Sequence, residues 1–298
     1  MKNRIIFFLL AITTWISAGV EPVAPGKVFV QNTVKYLKTE TYYNKKGELQ
    51  NISPTQHISS KLYGEIGIWN HMALIFNVDY YSALIVNSEV VDHKEARVLE
   101  ETLRGSITSG LGSSEVGVKA LLYEEKRFSL GLEALVGIPG TPFQSTQSSP
   151  EFDGIDRSQF PGYRFEAKED TDPFAIPIGY NDWQTTLFLR AGTMLGAVEV
   201  SGGAGYQLRT KDNNNGLIIQ ANAGFVPFGS VYWNFGLYSY MVMGTVDTQY
   251  EYETLSISTS GYYGITPHFG LIAGLEGAFF NKNTLSAIVP SAGLYISF

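Results

Sequence analysis

Cysteine is absent from all 298 residues. That removes disulfide scaffolds, thiolate metal sites and the acylated cysteine of a bacterial lipoprotein. Charge is also scarce, at 16% Asp, Glu, Lys and Arg, low for a soluble domain. Basic residues are outnumbered, 21 against 28 acidic, for a formal net charge of −7. A surface so poor in cations does not neutralise phosphates, so nucleic acid is not an expected partner. Long apolar runs are missing after Ile16: the 44% hydrophobic content never gathers into the ~20 consecutive apolar residues of a membrane-spanning helix.

The first landmark is at the start. Lys2 and Arg4 precede an apolar stretch from Ile5 to Ile16, and Ser17-Ala18-Gly19 supplies small residues for cleavage. This pattern predicts an export signal over residues 1–18, with 19–298 as the mature domain. The apolar run is too short for an anchor helix, so a mature chain residing in a membrane must cross it with strands.

The mature chain reads with a period of two. About twelve runs of the length that crosses a bilayer as tilted strands follow one another: Lys27–Lys38, Gln56–Ile68, Ala73–Leu84, Ser114–Tyr123, Phe128–Ile138, Trp183–Leu195, Val198–Thr210, Leu217–Val226, Val231–Met243, Thr254–Gly264, Phe269–Phe279 and Leu285–Phe298. In the second, Ile58, Leu62 and Ile66 share one face, and His57, Lys61 and Glu65 the other. In the third, Leu74, Phe76, Val78 and Tyr80 oppose Ala73, Ile75, Asn77, Asp79 and Tyr81. One apolar and one polar face per strand fits either a soluble sandwich or a barrel that turns its apolar face to lipid.

Three features favour the barrel. Connections alternate between tight turns, as at Trp69-Asn70-His71 and Thr266-Pro267, and long excursions at Thr39–Thr55, Ile85–Ser113 and Pro139–Asp182. Short periplasmic turns, long outer loops and an even strand number belong together. Aromatic residues gather at strand ends, among them Tyr36, Trp69, Tyr123, Trp183, Phe228 and Phe279, as interfacial girdles do. The chain also closes on a strand ending in an aromatic. Its Ser291, Gly293, Ile296 and Phe298 resemble the C-terminal signal of outer-membrane proteins, which implies the barrel-assembly machinery and outer-membrane lipid as partners. The expected fold is an all-β, transmembrane, antiparallel up-and-down barrel in the outer membrane of a Gram-negative bacterium.

Strand parity assigns Lys61, Glu65, Asp79, Glu115, Lys119, Glu133, Arg190, Glu199, Arg209 and Glu276 to the lumen. Charges so placed need water or partners. The lumen is therefore a solute pathway or a salt-bridged plug, and with acids at least matching bases it does not favour anions strongly. The Pro139–Asp182 excursion carries Phe143, Phe152, Phe160, Tyr163, Phe165 and Phe174. It is expected to cover the mouth or to move freely outside it. Catalysis is not expected: His57 and Ser59 share a strand face but point in parallel, and His71, His93 and His268 sit in no catalytic motif. No cofactor is expected. The acids from Glu166 to Asp172 read as a solvated charge run rather than a calcium site.

Gly110-Leu111-Gly112-Ser113-Ser114-Glu115-Val116-Gly117-Val118-Lys119, followed by Phe128–Glu133 and Gly137-Ile138-Pro139-Gly140, resembles the outer-membrane channels of the meta-pathway phenol-degradation transporter family. Ser113 stands where that family usually has an acid, and Gly140 follows Pro139 directly. The resemblance covers about thirty residues well. It implies a channel for passive uptake or efflux of small, hydrophobic or aromatic molecules. The alternatives are a plugged surface protein and a narrow porin for sugars or nucleosides.

Overall fold

The computed structural model describes residues 20–87, 89–102, 106–140, 155–168, 182–210, 214–244 and 251–298. The expected export signal lies outside these residues. The chain is built from strands: β1 (Val28–Tyr43), β2 (Leu49–Trp69), β3 (Met72–Val86), β4 (Glu89–His93), β5 (Val98–Thr102), β6 (Ser106–Gly110), β7 (Ser114–Glu125), β8 (Phe128–Ile138), β9 (Arg164–Lys168), β10 (Gln184–Leu195), β11 (Val198–Arg209), β12 (Gly216–Phe228), β13 (Val231–Val242), β14 (Glu253–Thr266), β15 (Phe269–Lys282), β16 (Thr284–Leu285) and β17 (Ile288–Ser297).

Twelve of them close an antiparallel ring in the order β1-β2-β3-β7-β8-β10-β11-β12-β13-β14-β15-β17. The seam is β1 against β17, from Phe29 opposite Ser297 to Lys35 opposite Ser291. Val28 N–H donates to Phe298 O at 2.8 Å, and Phe298 N–H to Val28 O at 3.0 Å. With no open edge, every strand finds two partners.

Amphipathicity is inverted relative to a soluble barrel. Leu187 and Leu189 of β10 are 51% and 49% exposed on the outer wall, while Gln184, Thr186 and Phe188, of the opposite parity, are buried. Outward apolar side chains recur around the ring, including Leu74, Val116, Phe235, Ile257, Leu271 and Leu294. Glu65, Lys119, Glu133 and Gln207 are enclosed. An ionic interior under an oily surface is stable only where the surface meets hydrocarbon.

At one end, all five ring connections are two-residue turns, between β2 and β3, β7 and β8, β10 and β11, β12 and β13, and β14 and β15. Four hold a residue at positive φ, namely His71, Lys126, Gly196 and Gly229, as tight hairpins demand. The start of β1 and the end of β17 also lie here. The opposite end carries the loops. A separate three-stranded sheet, β4-β5-β9, joins two of them, β5 lying parallel to β9.

The structure corrects several sequence expectations. Thr39–Thr55 is not an excursion. β1 and β2 extend through most of it, and the tip 44–48 is closed by Asn44 Oδ1, which accepts from Lys46 N–H at 2.9 Å and Glu48 N–H at 3.0 Å. The long excursions contain β4, β5, β6 and β9. Tyr81 does not share a face with Asp79: a register shift opposite Ser60/Lys61 turns both Tyr80 and Tyr81 outward, since a bulge adds one residue and inverts parity beyond it.

Candidate functional site: the barrel lumen

Inward-facing residues enclose a mid-barrel cavity of about 350 Å³. Five of the sequence-predicted residues line it: Glu65, Glu115, Lys119, Glu133 and Arg190. Gln31, Asn77, Gln220 and Asn222 add neutral hydrogen-bonding groups, and Phe29, Tyr63, Ile75, Leu135 and Tyr262 supply apolar and aromatic surface.

The ions are largely paired between strands that are adjacent or next but one in the ring. Lys119 Nζ donates to Glu65 Oε1 at 3.2 Å, with both side chains almost fully enclosed. Tyr63 OH donates to the same oxygen, whereas Glu65 Oε2 has no partner among the described residues. Arg190 Nε lies 2.7 Å from Glu133 Oε1, but its N–H is not aimed at the oxygen, so this contact is coulombic rather than hydrogen-bonded. The Arg190 guanidinium also stands over the Phe188 ring, 4.6 Å from its centroid.

A second group adjoins the first. Lys35 Nζ donates to Glu276 Oε2 at 2.8 Å. Lys61 is the register partner of Asp79 and interacts electrostatically with Asp79, Glu115 and Glu276. Asp79 explains one glycine of the Gly110-Leu111-Gly112 motif: a Cβ on Gly112 would come within 2.3 Å of the Asp79 Cγ. Gly112 N–H donates to Asp79 O at 2.8 Å.

The two remaining predicted residues sit elsewhere. Glu199 accepts from Tyr232 OH at 3.4 Å. Arg209 belongs to the loop end, where Nη2 and Nε donate to the two carboxylate oxygens of Asp182 at 3.0 and 3.2 Å in full enclosure. Gln207 continues that network, donating to Gln184 at 2.8 Å and accepting from Tyr240 OH at 2.9 Å. The sequence analysis places Asp182 at the end of the outer excursion rather than in the lumen. Extending the parity of β10 by one more step would have placed it inside.

Both ends of the lumen carry covering material. At the short-turn end, the segment before β1 runs across the interior. Val20 is buried against inward glycines of β8 and β10, Gly131 and Gly192. Val23 packs on Phe29, Ile272 and Tyr295, and Gly26 N–H donates to Gly67 O at 2.9 Å. Burial beside Glu124 raises the Glu21 carboxyl above its ordinary pKa, an effect Lys119 partly offsets. No periodicity marks this segment, so sequence reasoning missed it. At the loop end, Glu251 is fully buried, Tyr252 stacks on Tyr240 with centroids 4.9 Å apart, and Asn283 Nδ2 donates to Glu251 O at 2.9 Å.

In the Pro139–Asp182 excursion, Phe160 and Tyr163 meet edge-on at 5.3 Å and Arg157 stands 4.9 Å over Phe165. Phe143, Phe152, Phe174 and the acids from Glu169 to Asp172 lie outside the described residues. Among the described residues no cluster of three metal-ligating side chains occurs. His57 Nε2 contacts Ser82 Oγ at 2.7 Å across β2 and β3, but Ser82 is fully buried.

A closed antiparallel ring with oily side chains outside and paired ions inside defines a transmembrane β-barrel. Comparison with solved structures agrees on that fold. An outer membrane channel from Pseudomonas putida F1 aligns over 94% of this chain and 98% of its own, with a TM-score of 0.61 and 13% identity. The translocator domain of the autotransporter NalP from Neisseria meningitidis aligns over 100% of this chain and 95% of its own, with a TM-score of 0.51 and 9% identity. No family model matches the sequence, and no curated protein is similar to it in sequence.

Proposed function

We propose that the protein is an outer-membrane channel through which small solutes move passively between the exterior and the periplasm, with its two-residue turns on the periplasmic side. The carrying observation is the inverted barrel enclosing a cavity of about 350 Å³ lined by both rings and ions. That volume lies at the low end of small-molecule sites, roughly 300–1,000 Å³, so it suits solutes of one or two rings. Phe29, Tyr63, Ile75, Leu135 and Tyr262 give it apolar surface, which supports the hydrophobic or aromatic class implied by the Gly110–Gly140 resemblance. The similar Pseudomonas putida protein, described as an outer membrane channel, supports the same reading. Export by the 1–18 signal, and recognition of β17 through Ser291, Gly293, Ile296 and Phe298, complete it. Ile296 and Phe298 face outward, where an assembly factor can read them.

A second reading, a plugged surface protein, is favoured by the covering material at both ends. Planar-bilayer recording separates the two. The full chain is expected to give discrete conductance steps, and removal of residues 20–24 is expected to enlarge them. Absence of steps from both forms would establish the plug. Liposome swelling with benzyl alcohol against sugars and nucleosides then ranks the solute classes.

A further inference from the structure

The cavity's charges do not cancel. Lys119 is committed to Glu65 Oε1 and Arg190 to Glu133, so both cations on the lining are already paired. Two acidic features are left over. Glu65 Oε2 is enclosed in the wall without a partner among the described residues. Among the described residues Glu115 accepts only a long 3.4 Å hydrogen bond, from Asn77 Nδ2, and it shares Lys61 with Asp79 and Glu276. The rings of Phe29 and Tyr63, with centroids 6.3 Å apart, and of Tyr262 line the same space. Ring faces carry the negative end of the quadrupole and attract cations. A spare carboxylate oxygen, an underused carboxylate and aromatic faces around one small volume all favour positive charge. A solute anion meets the same groups as repulsion, in surroundings where weak dielectric screening strengthens both effects.

We propose that this cavity is a subsite for small monovalent cations, held at Glu115 and favoured by the field of the enclosed Glu65, so that the barrel passes cations in preference to chloride. The proposal rests on the channel reading given above, and it names a preference which that reading does not contain.

The test is the reversal potential of the full-length protein in planar bilayers under asymmetric KCl. The expected sign is that of potassium permeation. Glu115→Gln is expected to lower the potassium-to-chloride permeability ratio roughly twofold or more, and Glu115→Lys to push it to or past unity. Neither change strands a partnered base on the cavity lining, and heat-modifiable gel mobility verifies folding of each variant. Should both fail to fold, the wild-type reversal potential still decides, because a value at zero or on the chloride side overturns the proposal. A cation preference untouched by Glu115→Gln overturns it as well, by removing the preference from this cavity. Absence of any conductance step defeats the channel reading and this proposal together, a result distinct from steps of the wrong selectivity. Adding benzyltrimethylammonium separates the two sources of cation. Voltage-dependent block assigns the subsite to organic ammonium groups, and unhindered potassium current assigns it to alkali ions.

Discussion

The two ends of the barrel are closed by different kinds of material. At the loop end, closure is woven into the ring. Asp182 and Arg209 flank β10 and β11, Tyr252 immediately precedes β14, and Asn283 follows β15, so each contact is tied to strands by short tethers. At the short-turn end, closure is a strap, residues 20–26, continuous with β1 and hydrogen-bonded to β2 through Gly26 N–H on Gly67 O. Removing a loop-end contact therefore perturbs the wall itself, whereas the strap can leave without breaking a ladder hydrogen bond between ring strands. A barrel built this way separates stability from access, the first resting mainly at the loop end and the second at the turn end.

The sharpest break in that comparison is Arg209→Ala, which strands the Asp182 carboxylate in full enclosure. A cost of about 3–5 kcal/mol is expected, visible as a lower temperature for loss of the folded gel band. Removing both charges together should recover much of it. Next comes Gly205→Ala. A Cβ there would lie 2.3 Å from Phe188 Cδ2, so the ring and the Arg190 stacked on it must shift. About 1–3 kcal/mol of destabilisation is expected by the same gel measurement.

The strap should respond to pH instead. The Glu21 proton is held more tightly in the tucked segment than in a free one, because burial and Glu124 disfavour its charge. Tucking is thus unpenalised below the ordinary carboxyl pKa and weakens as pH rises through the raised one. Glu21→Gln should remove this dependence and hold the strap more firmly at neutral pH. A cysteine introduced at Pro22, in a chain that has none, reports it by slower thiol labelling. The smallest effect is expected in the outer excursion. Asp156 accepts from Ser158 N–H at 3.0 Å and from its hydroxyl at 2.6 Å, holding its carboxyl below the usual range. Asp156→Ala should loosen only this short turn, seen as faster proteolysis near residues 157–159 and unchanged unfolding of the ring.

What the sequence made legible follows from what is local. β8 was read at its exact bounds, Phe128–Ile138, because alternation runs unbroken between two turn signals. The polar lumen followed from the same parity. Parity failed at Tyr81, where the register shift has no local mark. The β4-β5-β9 sheet was invisible because Val98–Thr102 and Arg164–Lys168 pair in parallel across more than sixty intervening residues. The strap escaped because its contacts are made with strands that only the closed ring brings near. Single-residue chemistry was legible for Glu65, Glu115, Lys119, Glu133 and Arg190, but their pairings depend on which strands became neighbours.

The seam carries a consequence for how the molecule is made. Every other ring junction joins strands separated by only a turn or one excursion, at a smaller loop-closure cost. Val28 and Phe298 meet across almost the whole polypeptide. Until they pair, β1 and β17 present two bare, adhesive borders. Closing this seam therefore carries the largest loop-entropy cost of the ring, and weakening several β1–β17 pairs at once is expected to leave an open curl that joins its neighbours instead of itself.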